Sequence, residues 1–219
     1  MTSTADRGDI TNWQDIKRRL PYRGILPIDD VPNNIIDYLT NNISNLRANF
    51  GLAGQMEEEY FYKNWPRFID EFVISKTQNP VLYDWTQRQK QLTSNRPFVL
   101  NDLWVNKQKK YEFNPAHNHD GVFSFIIFLK IPYDLEEEYK VFPQSSSGSS
   151  ASNLCFLLTD HVGDIIDVQV PVDKTFEGKM LMFPAKLKHQ VYPFYTSDDY
   201  RITVSGNVSF WVEDTNSHK

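Results

Sequence analysis

A chain of 219 residues with 40% hydrophobic and 23% charged residues has globular composition and is long enough to bury a core without disulfides. Fifteen Phe, eleven Tyr and five Trp suit β-sheets and substrate clefts, and a single cysteine excludes an internal disulfide. The net charge of −5 argues against a nucleic-acid backbone as the main partner.

The first 30 residues are polar and punctuated by Pro21 and Pro27, which predicts irregular structure laid on the surface. No secretion-type apolar stretch follows Met1, and no run approaches the roughly 20 apolar residues of a membrane span. Asp30 is a candidate cap for a helix starting near Pro32. Ile35, Ile36, Tyr38, Leu39, Ile43 and Leu46 then recur at helical spacing as far as Phe50, with Gly51 as a stop. Tyr60, Trp65, Phe68, Ile69 and Phe72 form a second helical pattern, with Pro66 suited to its first turn. Leu92 to Pro97 reads as a connection.

From Phe98 the period changes. The segments Phe98–Lys107, Phe123–Lys130, Leu154–Leu158, Asp164–Val170, Met180–Phe183, His189–Phe194 and Arg201–Val212 are short, β-branched or aromatic, and separated by turn-formers. Lys107, Lys109 and Lys110 read as solvated strand or turn surface. Cys155, inside an apolar run, reads as a buried inert thiol in a reducing compartment. Gln144 to Ser150 is low in complexity and predicts a mobile loop, either a lid or a tolerated insertion. The expectation is a mainly β protein with N-terminal helices, a jelly-roll or cupin-like double-stranded β-helix. It reads as one domain over 1–219, with 1–97 as N-terminal extension and helical support and 98–212 as the β core.

Five histidines occur, and His117 and His119 stand at i and i+2 in Asn114-Pro115-Ala116-His117-Asn118-His119-Asp120-Gly121. On an extended segment both rings share one face and converge on one ion, while Asp120 faces the other way. The turn-formers Asn118 and Gly121 leave a second possibility, a tight bend that brings Asp120 inward in place of His119. Met180 to Pro184 reads as a strand ending in a turn, after which His189 opens the next strand. A jelly roll can carry it to the first pair as a third ligand, and neutral imidazoles suit iron, zinc, copper or nickel. Arg201, Thr203 and Ser205 alternate onto one face of their strand, and an inward arginine needs an anionic partner that matches its planar fork.

Together these elements resemble the Fe(II)/2-oxoglutarate-dependent oxygenase superfamily, most closely a small phage and bacterial branch related to the prolyl hydroxylases. The resemblance spans roughly Trp104 to Phe210 and is strongest over Asn114–Leu129 and Met182–Phe210. Family members carry a His-x-Asp or His-x-His element before a strand, a distal histidine after a Phe-Pro step, and an arginine further on. Here these fall on His117-Asn118-His119, on Phe183-Pro184 with His189, and on Arg201. His119 stands where most members carry Asp.

The resemblance implies Fe(II) held by His117, His119 (or Asp120) and His189. It implies 2-oxoglutarate anchored by Arg201 with help from Thr203, and dioxygen as co-substrate, with ascorbate as a reductant. Tyr111, Asn106 and Trp104 are expected to line the pocket. The implied reaction hydroxylates an unidentified peptidyl substrate, with prolyl suggested by the nearest relatives, or a small molecule, in the cytoplasm (that of a host if the source is viral) and without a membrane partner. The alternatives are a non-oxidative cupin-like metal protein or isomerase, and a structural or interaction protein with a relic site.

Overall fold

Strands with period-two alternation build two antiparallel sheets in the computed structural model, which describes residues 28–48, 53–79, 82, 87, 96–144, 149–159 and 162–211. The larger sheet runs, in spatial order, β1 (Ile28–Asp30), β9 (Lys179–Pro184), β6 (Phe123–Lys130), β11 (Arg201–Phe210), β4 (Phe98–Gln108), β3 (Glu58–Phe61) and β2 (Arg47–Ala48). The smaller runs β5 (Asn114–His117), β10 (Lys188–Val191), β7 (Leu154–Thr159) and β8 (Ile165–Val170). The result is the expected mainly β, jelly-roll architecture.

Alternation divides the core into two layers. On β6, Phe123, Phe125 and Ile127 join the cluster that also holds Ile35 and Leu39 of helix α1 (Asn33–Asn41) and Ile69 and Val73 of helix α2 (Arg67–Lys76). Ile126 and Phe128 fall in the other cluster, with Leu154, Phe156 and Leu158 of β7. β9 splits the same way, Met180 and Met182 against Leu181 and Phe183. Strands covered on both faces read as continuous apolar runs, and each buried Leu, Ile, Met or Phe contributes about 1.5–3 kcal/mol. Tyr62 closes the helical layer by donating from its hydroxyl to Leu39 O at 2.8 Å.

Several local expectations change. Tyr60 lies in β3, not in a helix, because its segment is paired edge to edge with β4. Asp30 ends β1 and pairs with Lys179, so it does not cap α1, whose N-cap is Pro32. The helix stops at Asn41, and Ile43 lies in a short 3-10 turn. Pro66 is the N-cap of α2, one residue before its first turn. Helix α3 (Leu135–Lys140) was not anticipated, although Asp134 accepts from Glu136 N and Glu137 N as an N-cap should. Pro21, Pro27, Phe50, Gly51, residues 92–95, most of the serine-rich segment and Val212 lie outside the described residues. Cys155 is buried, and burial pushes its thiol up to about 11, away from reactivity. No helix among the described residues is long and apolar enough to cross a membrane.

Candidate metal centre and active-site cavity

Sheet register creates the histidine cluster. His117 at the end of β5 stands opposite His189 of β10, with ring centroids 4.3 Å apart. Beyond β5 the His119 backbone N–H donates to Ala185 O at 2.9 Å, which ties this loop to the turn between β9 and β10. The chain then reverses at Gly121, where a φ of +99° and the 2.9 Å at which a Cβ would stand from Val208 O disfavour any side chain. The His119 ring lies 4.8 Å from His117 and 5.1 Å from His189. One ligand atom from each ring lies within 4.8 Å of the other two, close enough to share one ion.

Two rings are held in a single orientation. His117 Nδ1 lies 2.7 Å from Pro115 O and His189 Nδ1 lies 3.0 Å from Leu187 O. A carbonyl oxygen only accepts, so Nδ1 donates in both, and in a neutral ring Nε2 carries the free lone pair. Burial lowers all three pKa values, with His119 near 4 and His189 near 3, so the rings are neutral at pH 7. Trp104 packs 5.4 Å from the His119 ring and Phe183 lies edge-on 4.8 Å from His189. Asp120 is elsewhere. Its side chain is fully solvent-exposed and pairs with Lys186 at 2.8 Å, which holds the carboxyl below its usual range.

Arg201 opens β11 and is 3% exposed. Its Nε donates to Gln108 Oε1 at 2.9 Å, and one terminal nitrogen donates to the same oxygen and to Tyr192 O at 3.1 Å. The other donates to Ser152 O at 2.8 Å and to the Tyr133 hydroxyl at 3.1 Å. None of these acceptors carries a charge. Tyr133 and Phe194 add their ring faces at 5.9 and 5.8 Å. A fully buried cation surrounded by neutral acceptors is hydrogen-bonded but not neutralised.

The histidines and Arg201 line one cavity of about 700 Å³, counting the solvent at its mouth, together with Trp104, Asn106, Thr203 and Ser205. Tyr111 does not join them. Its backbone is left-handed (φ +71°), and its 62% exposed ring packs on Tyr195 instead. Sequence reasoning missed Gln108, Asn114 and Glu59, which also line the cavity. Gln108 follows Asn106 by two on the same strand face, a signal that was available. Tyr133, Ser152 and Tyr192 carried none, because tertiary contacts alone bring them to Arg201.

Residues 102–207 match a family model described as "Putative 2OG-Fe(II) oxygenase". No curated protein matches the sequence. A Pseudomonas putida prolyl-4-hydroxylase structure is similar at TM-score 0.50 and 13% identity, over 86% of this chain and 94% of that one. An oxidoreductase of the 2OG-Fe(II) oxygenase family from Burkholderia pseudomallei is similar at TM-score 0.48 and 11% identity, over 92% and 91%. HygX from Streptomyces hygroscopicus, solved with nickel and 2-oxoglutarate bound, is similar at TM-score 0.45 and 10% identity, over 86% of each chain. At 13% identity the likeness to the prolyl-4-hydroxylase speaks for the fold alone. The family match is independent of it and encloses all three clustered histidines and Arg201, so the segment that carries the site is similar to the 2OG-Fe(II) oxygenases.

Proposed function

We propose that this chain is an Fe(II)- and 2-oxoglutarate-dependent dioxygenase that hydroxylates a peptidyl or small-molecule substrate. His117, His119 and His189 are its metal ligands, and Arg201 with Thr203 holds the distal carboxylate of the ketoacid. The observation that carries this reading is Arg201, a buried guanidinium with only neutral partners, in the same cavity as three converging neutral imidazoles. A dicarboxylate supplies the missing negative charge, and a planar fork receives a carboxylate better than any single donor does.

The donor set fits the metal. Three imidazole nitrogens suit Fe(II), and three protein ligands leave positions for a co-substrate. When bound, iron, 2-oxoglutarate and dioxygen supply the oxidising chemistry, with succinate and carbon dioxide as by-products and ascorbate as an external reductant. The chain's own residues orient and shield. Pro115 and Leu187 carbonyls fix His117 and His189. Trp104 and Phe183 wall the cluster against water. Gln108 accepts from the Nε edge of Arg201, so an arriving carboxylate on that edge exchanges with the Gln108 oxygen.

The test is succinate formation by the iron-loaded protein with 2-oxoglutarate, ascorbate and oxygen, with and without peptide and metabolite libraries. Slow turnover without a prime substrate and faster turnover with one are expected. A protein that holds metal but neither binds 2-oxoglutarate nor forms succinate returns the reading to a non-oxidative cupin-like protein.

A further inference from the structure

Beyond Thr203, the cavity wall runs away from the metal ligands and Arg201. Antiparallel register sets Thr203, Asn106 and Glu59 side by side across β11, β4 and β3, and all three line the cavity. With strands about 4.8 Å apart, Glu59 stands about 10 Å to the side of Thr203, while Arg201 lies about 7 Å away along β11. The Glu59 wall is therefore a separate branch from the Arg201 end.

The cavity here presents acceptors with nothing to accept, Glu59 and Asn106 on this wall and Asn114 on β5 of the other sheet. Glu59 Oε1, Asn106 Oδ1 and Asn114 Oδ1 are buried and have no hydrogen-bond partner among the described residues. The Asn106 amide nitrogen is turned toward Thr203 and Ser205, at 3.4 and 3.5 Å from their hydroxyls, which leaves its oxygen free. Glu59 is only 7% exposed. Gly54 lies directly against it, since a Cβ there would collide with the Glu59 carboxyl. Burial and the nearby Glu112 carboxylate push its pKa up to about 7. A buried, unpartnered acid is costly, and native chains rarely keep one that nothing compensates. Glu59 also lies outside residues 102–207, so the family match does not account for it.

We propose that the prime substrate carries a protonated nitrogen group, an ammonium or guanidinium, that docks on Glu59 with Asn106 and Asn114 as neighbouring acceptors. This rests on the oxygenase reading for the role of the cavity. The chemistry selects the ligand: an ammonium has three donors and no acceptor, against a carboxylate and two amide oxygens. A neutral alcohol satisfies fewer of these atoms and compensates no charge. An anion meets Glu59 with like sign.

The test uses metal-loaded, anaerobic full-length protein whose 2-oxoglutarate binding is measured first by calorimetry. Butylammonium, butylguanidinium and butanol are then titrated into the 2-oxoglutarate-saturated protein and into a folded Glu59→Gln variant. At least one cation should bind about tenfold or more tighter than butanol in the wild type, and Glu59→Gln should reduce that preference to about twofold or less. Which cation wins assigns the nitrogen group. A measurement on the wild type alone stands beside the variant: carbon NMR of the zinc-loaded protein should show the Glu59 carboxyl titrating at lower pH with butylammonium present, and unchanged with butanol. Cations that bind no better than butanol, or a preference that survives Glu59→Gln, overturn the proposal. Failure to bind 2-oxoglutarate in the first step overturns the oxygenase reading instead, and a cation preference then still supports the Glu59 site.

Discussion

Two buried glutamates separate structural from functional use of the same side chain. Glu138, in α3, is wholly buried and its oxygens are filled by the chain. Tyr195 N donates to both at 3.0 and 2.9 Å, and Thr196 donates from its backbone N at 2.7 Å and from its hydroxyl. Glu59, in β3, is almost as buried, yet Oε1 has no partner among the described residues. Glu138 pins the segment after Phe194 that leads into Arg201. Glu59 faces the cavity. Burial of a charge therefore says little by itself; whether the fold satisfies it distinguishes a clamp from a binding group.

The largest effect expected of this contrast is in Glu138→Ala, which strands the donors of Tyr195 and Thr196 in the interior. It should lose about 3–4 kcal/mol of stability, read as a lower urea midpoint. If it is no more disruptive than Glu59→Gln, the comparison collapses. Arg201 is a third buried charge, satisfied but not neutralised. Arg201→Ala should weaken 2-oxoglutarate binding by about 2–5 kcal/mol while metal affinity changes little, and Arg201→Lys should recover only part. Calorimetry with unchanged 2-oxoglutarate affinity would make Arg201 a structural residue like Glu138.

A smaller effect sharpens the Glu59 side. Its folded pKa, about 7, lies above the ordinary glutamate value of 4.5. Its contribution to stability is therefore fully present below about pH 4.5 and lost as pH rises through 7. Relative to wild type, Glu59→Gln should gain about 1–2 kcal/mol between pH 4.5 and 8, less than the full conversion of the shift because the carboxyl lines a cavity and not the dry core. Urea unfolding at both pH values checks the sign. Asp120→Ala should have the smallest effect, about 0–1 kcal/mol, since it removes an exposed ion pair with Lys186. Its Fe(II) affinity should match wild type under anaerobic titration. His119→Ala should lose more than the roughly 10–100-fold that an outer partner of a metal ligand typically costs.

The β core was readable because its strands repeat with period two and have turn-formers between them; Phe123–Lys130 has the same bounds in sequence and structure. The i, i+2 spacing of His117 and His119 was readable for the same reason. The choice between His119 and Asp120 was not. Local preferences allowed either an extended chain or a bend, and the hydrogen bond from His119 N to Ala185 O, a partner distant in sequence, accompanies the arrangement that brings His119 to the cluster. β3 was misread as part of a helical pattern because four residues are too few to display a period, and pairing with β4 determines its conformation.

Composition and alternation by themselves determined a mainly β chain, and spacing marked His117, His119, His189 and Arg201 as candidates. Only tertiary structure decided what surrounds them. The neutral partners of Arg201 come from Gln108, Tyr133, Ser152 and Tyr192, and the unpartnered acceptors Glu59, Asn106 and Asn114 come from three strands of two sheets. Charge compensation is a property of atoms a few ångströms apart in space, and a linear pattern does not encode which distant residue will supply it or fail to.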